Sequence, residues 1–252
     1  MYSRPTVELA LHLSDLCILD RENALICGVS VATIRHWRRG RRRSGSSELD
    51  PRCPRCHDRP LDTPAYAYLL GLYLGDGHIT LGRRGVYALS IFCGDDWPGL
   101  ADAAEQAMEA VMPTSGVFRV QKVGCQEIKS TSKHWPCLFP QHGPGRKHER
   151  KIELEPWQQT IVAEHAGKFV RGLFHSDGCR SVNRVFKVLQ GGRRGYEYPR
   201  YFFVNHSTDI LRLCGDALDR LGVAWRFSKP TTISVARRDA VARLDRFVGP
   251  KY

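Results

Sequence analysis

The chain carries two mainly apolar runs, residues 69–77 and 170–178, and each run ends in Asp-Gly. Both runs have small residues four positions apart, namely Gly71, Gly75, Gly172 and Ser176. Small residues with this spacing lie on one face of a helix and let two helix backbones approach closely. The pattern predicts two apolar helices that pack together, each closed by the glycine of its Asp-Gly pair in a left-handed conformation.

Alternating apolar and polar positions follow each run and predict the same order of elements twice. In the first half the predicted strands and helix cover residues 78–81, 86–92, 96–111, 117–123 and 125–131. In the second half the predicted elements cover residues 180–189, 198–205, 207–221, 224–228, 231–235 and 237–248. We therefore predict an α+β fold with two pseudo-symmetric αββαββα repeats, preceded by a small all-α module.

The N-terminal segment has the pattern of two short helices between Leu13 and Arg39. A helix that closes at Gly28 is followed by Ser30, a good N-cap, and by a second helix with apolar residues at helical spacing. This spacing predicts a helix-turn-helix, whose second helix enters the major groove of DNA. An ordinary helical hairpin is the alternative.

These patterns divide the chain into four parts. We predict a helix-turn-helix module over residues 1–38, a basic linker with a Cys-x-x-Cys over 39–62, a first repeat over 63–165 and a second repeat over 166–252. Five arginines between Arg38 and Arg43 make the start of the linker strongly basic, so it is well placed to contact phosphates.

Composition narrows the class of partner. The formal net charge is +12 and 42% of the residues are hydrophobic, which allows a buried core and favours a nucleic acid as partner, with a membrane surface or an acidic protein as alternatives. No continuous apolar stretch of about eighteen residues is present, so we expect no membrane span and a cytoplasmic, nucleoid-associated protein. The nine cysteines are an odd number, and we expect them to be mostly reduced.

The two acids that end the apolar runs, Asp76 and Asp177, are the strongest candidates for chemistry. A carboxylate is disfavoured at a helix C-terminus, because the helix dipole places partial negative charge there. If the two helices pack side by side, both carboxylates meet at one edge of the interface, and they repel each other. A divalent cation such as Mg²⁺, which prefers oxygen ligands, would neutralise this repulsion. Two acids with bound metal can support hydrolysis of a phosphodiester.

The paired runs resemble the LAGLIDADG motifs of homing endonucleases, and the resemblance covers most of residues 64–248. It implies a DNA-binding saddle, a monomer that acts as a pseudo-dimer, and two or three Mg²⁺ ions shared by Asp76 and Asp177. It also implies site-specific cleavage of double-stranded DNA. Three positions depart from the family pattern, namely Leu74, Arg171 and His175.

Several basic residues are candidates for the catalytic and binding surface. Lys133 and Lys229 are predicted to support catalysis, and Lys147 either polarises the scissile phosphate or positions DNA. The predicted DNA contacts are Arg35, Arg38, Arg39, Arg83, Arg84, Arg146, Lys147, Arg180, Arg184, Lys187, Arg193 and Arg194.

The segment Cys53-Pro54-Arg55-Cys56-His57 is half of a zinc site, because structural zinc needs four ligands. His57 directly follows Cys56, which hinders both from reaching one ion. The sequence has no second Cys-x-x-Cys, so further ligands could come only through the fold, from Cys125, His134, Cys137 or His142. A redox pair and a simple turn are the alternatives to zinc.

Two other functions fit the same features. A non-cleaving transcription regulator could combine a LAGLIDADG scaffold with a helix-turn-helix, and the two acids only partly argue against it. An RNA splicing factor of maturase type would prefer structured RNA. An intein is disfavoured, because the chain lacks a starting Cys or Ser and a terminal His-Asn.

Overall fold

The computed structural model describes residues 2–38, 53–189, 192–249 and 251. The chain forms two compact units, Met1–Pro51 and Arg52–Tyr252, and each has its own hydrophobic core. Among the described residues, no helix is both long enough and apolar enough to cross a membrane.

The first unit is a bundle of three helices, α1 (Arg4–Asp15), α2 (Asp20–Cys27) and α3 (Val31–Arg38). Its small core consists of Val7, Ala10, Ala24, Ile34 and Trp37. The turn between α2 and α3 is as predicted, since Gly28 is left-handed with φ 62° and Ser30 Oγ accepts from the Thr33 amide at 3.1 Å. The pattern of the first twelve residues did not predict α1.

The second unit contains both repeats. The first half consists of α4 (Thr63–Leu74), β1 (His78–Leu81), β2 (Tyr87–Gly94), α5 (Pro98–Val111), β3 (Val117–Lys122) and β4 (Cys125–Ser132). Two helices that the sequence did not predict follow it, α6 (Trp135–Leu138) and α7 (Pro156–Glu164). The second half consists of α8 (Ala166–Asp177), β5 (Gly178–Leu189), β6 (Gly192–Val204), α9 (Thr208–Arg220), β7 (Arg226–Lys229), β8 (Thr232–Val235) and α10 (Arg238–Val248).

Each half builds one antiparallel sheet of four strands, and the two sheets have the same strand order. The order is β1-β2-β4-β3 in the first sheet and β5-β6-β8-β7 in the second. The first strand of each sheet begins where a motif ends: β1 starts at His78, directly after Gly77, and β5 starts at Gly178. In the strand register, His78 lies opposite Ser90 on β2, and Gly178 lies opposite Phe203 on β6. The repeated topology confirms the predicted α+β fold of two αββαββα repeats.

A single core joins the two halves, and α4 and α8 run through it. All nine residues from Tyr66 to Leu74 are buried, which explains why α4 is apolar on every side rather than amphipathic. Its N-terminus is capped as the sequence indicates, because Asp62 Oδ1 accepts from the Ala65 amide at 2.8 Å.

The prediction that glycines close the motif helices in a left-handed conformation is wrong. Gly178 is extended, with φ −98° and ψ 152°, and Gly77 does not have a positive φ. Both positions need glycine for space instead. A Cβ on Gly77 would lie 2.5 Å from Tyr73 Cα, and one on Gly178 would lie 2.6 Å from Phe174 Cα.

The two acids also differ in their backbone position. Asp177 is the last residue of α8, whereas α4 ends at Leu74, so Asp76 lies in the short turn before β1. The prediction of both acids on a last helical turn therefore holds for Asp177 alone.

Candidate active site

The site is built where the backbones of α4 and α8 touch. A Cβ on Gly172 would lie 2.2 Å from Tyr68 O, and one on Gly71 would lie 2.4 Å from Phe169 O. These distances are far below ordinary contact, so only glycine fits at the crossing. The predicted close packing of the two motif helices is therefore present.

One turn further along, the same packing brings the acidic ends together. A Cβ on Gly75 would lie 2.0 Å from Ser176 Oγ and 3.1 Å from Asp177 Oδ2. The Asp177 carboxylate is thus directly beside the backbone that leads into Asp76. Both carboxylates lie at one edge of the helix interface, in partial contact with solvent.

The surroundings raise the pKa of both acids. Burial, together with the nearby charge of Asp76, raises the pKa of Asp177 to about 6. Loss of solvation also raises the pKa of Asp76, although that residue is open to solvent on one side. The negative charges are therefore incompletely compensated by protein groups.

Asn205 holds the Asp177 carboxylate in place. Its Nδ2 donates to Asp177 Oδ2 at 2.7 Å, and its Oδ1 accepts from the Ser207 amide at 2.8 Å. The second hydrogen bond fixes which end of the amide faces Asp177. No role for Asn205 was predicted from the sequence. Asn205 directly follows β6, and it lies near Asp177 because β6 pairs with β5, the strand that starts directly after Asp177.

Lys147 lies at the C-terminal end of α4. Its Nζ donates to the carbonyl oxygens of Tyr73 at 2.5 Å, Leu74 at 3.0 Å and Gly75 at 2.5 Å. An ammonium there satisfies carbonyls that have no partner within the helix and compensates the helix dipole. Burial lowers the pKa of Lys147 to about 8, against the opposing effect of Asp177 and Asp76.

Lys251 lies beside the end of the second motif. Its Nζ donates to the Gly178 carbonyl at 2.6 Å, and burial lowers its pKa while the charges of Asp76, Cys179 and Asp177 raise it. The two lysines and two acids therefore form one electrostatic cluster. Lys251 was not predicted, because it stands in no motif and reaches the site only through the path of the chain after α10.

The two other predicted lysines are at the surface. Lys133 is exposed after β4, and Lys229 is exposed at the end of β7. The charges of Lys147 and Lys251 act on both carboxylates, so the structure gives these two lysines the stronger claim to the site.

The departures from the motif pattern have structural reasons. His175 is buried, with Nδ1 2.9 Å from the Tyr68 hydroxyl and Nε2 2.9 Å from Val248 O. Nε2 must donate to the carbonyl, so Nδ1 accepts from Tyr68. The Arg171 guanidinium lies over the Tyr68 ring at 5.6 Å. Both residues thus join α8 to α4 beside the glycine crossing.

A cavity of about 150 Å³ opens at Asp76, and Trp97, His175, Ser176 and Lys251 contribute to its lining. This volume is enough for several water molecules. Asp76 lines this space, and the Asp177 carboxylate lies next to the backbone that leads into Asp76. Two neighbouring carboxylates with incompletely compensated charge suit a hard divalent cation. The residues present therefore fit a divalent metal.

Some predicted DNA-binding arginines are exposed and others are held in ion pairs. Arg83 and Arg84 lie in the short 3₁₀ turn between β1 and β2, and Arg146 precedes another such turn; all three are exposed. Arg180 makes a bidentate pair with Asp245 at 2.9 and 3.1 Å, and Arg184 pairs with Glu197 at 2.8 Å.

The remaining predicted contacts are on the long β5–β6 hairpin and in the first unit. In the backbone register of the hairpin, Lys187 on β5 lies opposite Arg194 on β6, and Arg193 precedes Arg194 on the same strand. Arg35 and Arg38 on α3 both pair with Asp20, at 3.2 and 2.9 Å. Arg39 lies outside the described residues.

The predicted zinc ligands Cys53 and Cys56 lie together at the start of the second unit. The fold brings His134 and Cys137 to the same place.

The fold is shared with LAGLIDADG endonucleases of known structure. A variant of I-DmoI in complex with its target DNA in the presence of Mg matches with a TM-score of 0.51 at 15% identity, over 75% of this chain and 98% of the I-DmoI chain. The LAGLIDADG meganuclease I-AabMI bound to uncleaved DNA matches with a TM-score of 0.44 at 8% identity, over 72% and 82% of the two chains.

The N-terminal LAGLIDADG domain of WhiA matches with a TM-score of 0.43 at 13% identity, over 83% of this chain and 94% of that domain. No protein-family model and no curated protein matches the chain. The likeness to I-DmoI establishes the LAGLIDADG fold and confirms the resemblance drawn from the two motifs.

Proposed function

We propose that this chain, which has the LAGLIDADG fold, is a divalent-metal-dependent, site-specific endonuclease for double-stranded DNA. One observation carries the proposal: Asp76 and Asp177 meet at the edge of the α4–α8 interface, each with a raised pKa. Two carboxylates that lie close together with raised pKa values are typical of functional sites, because keeping both ionised is energetically unfavourable.

Mg²⁺ is the proposed metal, and Asp76 and Asp177 would hold it. When bound, it would lower the pKa of a coordinated water and stabilise the leaving oxygen of the phosphodiester. The structure of I-DmoI with target DNA in the presence of Mg supports this choice.

The protein groups around the acids have separate roles. Asn205 orients the Asp177 carboxylate through its hydrogen bond at 2.7 Å. Lys147 and Lys251 hold the backbone at the ends of the two motif helices, and their charges favour ionised carboxylates. The three carbonyls around Lys147 occupy all three of its N–H donors, so its role is positioning rather than contact with DNA.

The charge and topology support duplex DNA as substrate. The net charge of +12 favours a polyanion, and a two-stranded ribbon such as β5–β6 can enter a major groove. The exposed arginines at the β1–β2 turn, Arg83 and Arg84, are placed to contact phosphates. Both motifs belong to one chain, so a monomer holds a complete site.

The second candidate function is a transcription regulator that binds DNA without cutting it. The three-helix unit favours it, because α2, a turn with left-handed Gly28, the N-cap Ser30 and α3 follow one another in the order expected of a helix-turn-helix. The pair of acids favours the nuclease, since binding alone does not require two carboxylates side by side.

One experiment decides between the two functions. The purified protein selects from a randomised duplex library in Ca²⁺, the bound pool is transferred to Mg²⁺, and new ends are sequenced. We expect discrete cuts with short 3′ overhangs that the Asp76→Asn, Asp177→Asn double variant does not make. An enriched sequence that stays intact in Mg²⁺ would contradict cleavage and establish the regulator.

A further inference from the structure

Two segments that are far apart in the sequence meet at the start of the second unit. The first contains Cys53 and Cys56, and the second contains His134 and Cys137 around the start of α6. One ligand atom from each of these four residues lies within 4.8 Å of all the others. His134, just before α6, and Cys137, within α6, therefore supply the half of a zinc site that the Cys-x-x-Cys lacks.

Two of the separations between ligand atoms are close to those around a tetrahedral ion. His134 Nδ1 lies 3.3 Å from Cys56 Sγ and 3.9 Å from Cys137 Sγ. Ligands of tetrahedral zinc, at bond lengths of about 2.0–2.3 Å, are about 3.3–3.8 Å apart. Small movements of side chains would thus complete the coordination.

The backbone already suits a metal-bound thiolate. The Cys56 amide donates to Cys53 Sγ at 3.4 Å, and the His57 amide donates to Cys53 O at 3.1 Å, which forms a tight turn around the first sulfur. Cys53 is fully buried, whereas Cys56 is at the surface, so an ion could enter from that side.

His57 is not one of the four ligands. Its Nδ1 accepts from the Cys53 amide at 3.3 Å, and its ring packs edge-on against His134 at 5.3 Å between centroids. His57 is therefore a neighbour that orients both the turn and the His134 ring.

We propose that Cys53, Cys56, His134 and Cys137 bind one structural Zn²⁺ ion. Three cysteines and one histidine form a closed tetrahedral set that leaves no position for a substrate. The soft sulfur ligands favour zinc over Mg²⁺, so this site is chemically distinct from the pair of carboxylates.

The ion would fasten the chain ahead of α4 to the end of the first sheet. Cys53 precedes α4, while His134 follows β4 and is next to the fully buried Trp135. Arg55, inside the Cys-x-x-Cys turn, lies over the Trp157 ring at 4.5 Å and connects the turn to α7. Zinc would thus secure the N-terminal approach to the first motif helix without touching either acid.

Metal content tests the proposal. Protein purified from zinc-supplemented cells and dialysed without chelator should contain close to one zinc ion per chain. Cys137→Ser should lose most of it, whereas Cys125→Ser, at a half-buried cysteine of β4, should retain it. His57→Gln should also retain zinc.

Cobalt substitution gives a second measurement on the unmutated chain, in case Cys137→Ser does not fold. Co²⁺ in this site should show the intense d–d absorption of a tetrahedral thiolate complex, and added Zn²⁺ should abolish it. The Asp76→Asn, Asp177→Asn double variant should give the same spectrum, so the result is independent of nuclease activity. Absence of zinc and of tetrahedral cobalt in the unmutated protein, or full zinc retention in folded Cys137→Ser, would overturn the proposal.

Discussion

Gly172 lies so close to Gly71 that a Cβ atom on Gly172 would be 3.0 Å from Gly71 Cα and 2.2 Å from Tyr68 O. The obstacle is backbone on both sides, which cannot move away as the tip of a side chain can. The distance between the two motif helices, and hence between the acids that end them, is set at this contact.

We predict that Gly172→Ala destabilises the second unit by about 1–3 kcal/mol, the usual cost of overpacking a core. The free energy of urea unfolding measures the effect. Gly94→Ala is the matched control, because its Cβ would meet no atom closer than 3.8 Å. Equal stability of the two variants would show that the helices are not packed as described.

Replacement of both motif acids should separate binding from cleavage. Asp76→Asn with Asp177→Asn keeps the shape of the site but removes the charges that would hold Mg²⁺. We expect cleavage to be abolished while DNA affinity changes by less than about tenfold, or about 1.4 kcal/mol. Cleavage by the double variant at the unmutated rate would remove the metal-site assignment.

Lys147→Met should impair cleavage more than Lys133→Met does. Lys147 lowers the pKa of both acids, so its loss should raise those pKa values and move the acidic limb of the pH–rate profile to higher pH. Lys133 is exposed and provides the control. A larger effect of Lys133→Met on that limb would favour the assignment made from the sequence.

His175 predicts a pH dependence of stability. Burial lowers its pKa from 6.5 to about 4, so between these values the unfolded chain binds a proton that the folded chain does not. Stability should therefore fall as the pH falls from 6.5 to 4, by about 2–3 kcal/mol from this group. His175→Gln should flatten this dependence.

The His175 measurement needs the Asp177→Asn background without metal. Asp177 has a folded pKa raised to about 6, so its contribution has the opposite sign and would mask the effect. The exposed His206 provides a control substitution to Gln. An unchanged pH slope in His175→Gln would show that His175 is not buried in its neutral form.

Removal of residues 1–51 should leave the second unit folded, because that unit has its own core. If the first unit and the arginines between Arg38 and Arg43 bind DNA, their removal should weaken the salt dependence of DNA binding. The slope of the logarithm of the DNA-binding constant against the logarithm of the salt concentration should become shallower by about 0.9 for each phosphate that the shortened chain no longer neutralises. Binding measured between low and moderate salt would show this. An identical slope would mean that these residues do not touch phosphates.

The sequence alone determined the two-fold repeat, the close-packed helices and the two acids. These follow from local rules: alternation predicts strands, small residues four apart predict a helix contact, and Asp62 and Ser30 are good caps. Such signals lie within a few residues of each other and do not depend on the rest of the chain.

The tertiary structure decided which distant groups join those acids. Asn205, Lys147 and Lys251 come from a strand end, a turn and the chain end, and no spacing relates them to Asp76 or Asp177. His134 and Cys137 likewise meet Cys53 and Cys56 only because β4 returns to the start of the unit. The reason for the motif glycines also became clear only from the fold. At Gly77 and Gly178 a Cβ atom would collide with neighbouring atoms, whereas the backbone conformation of neither residue has a positive φ.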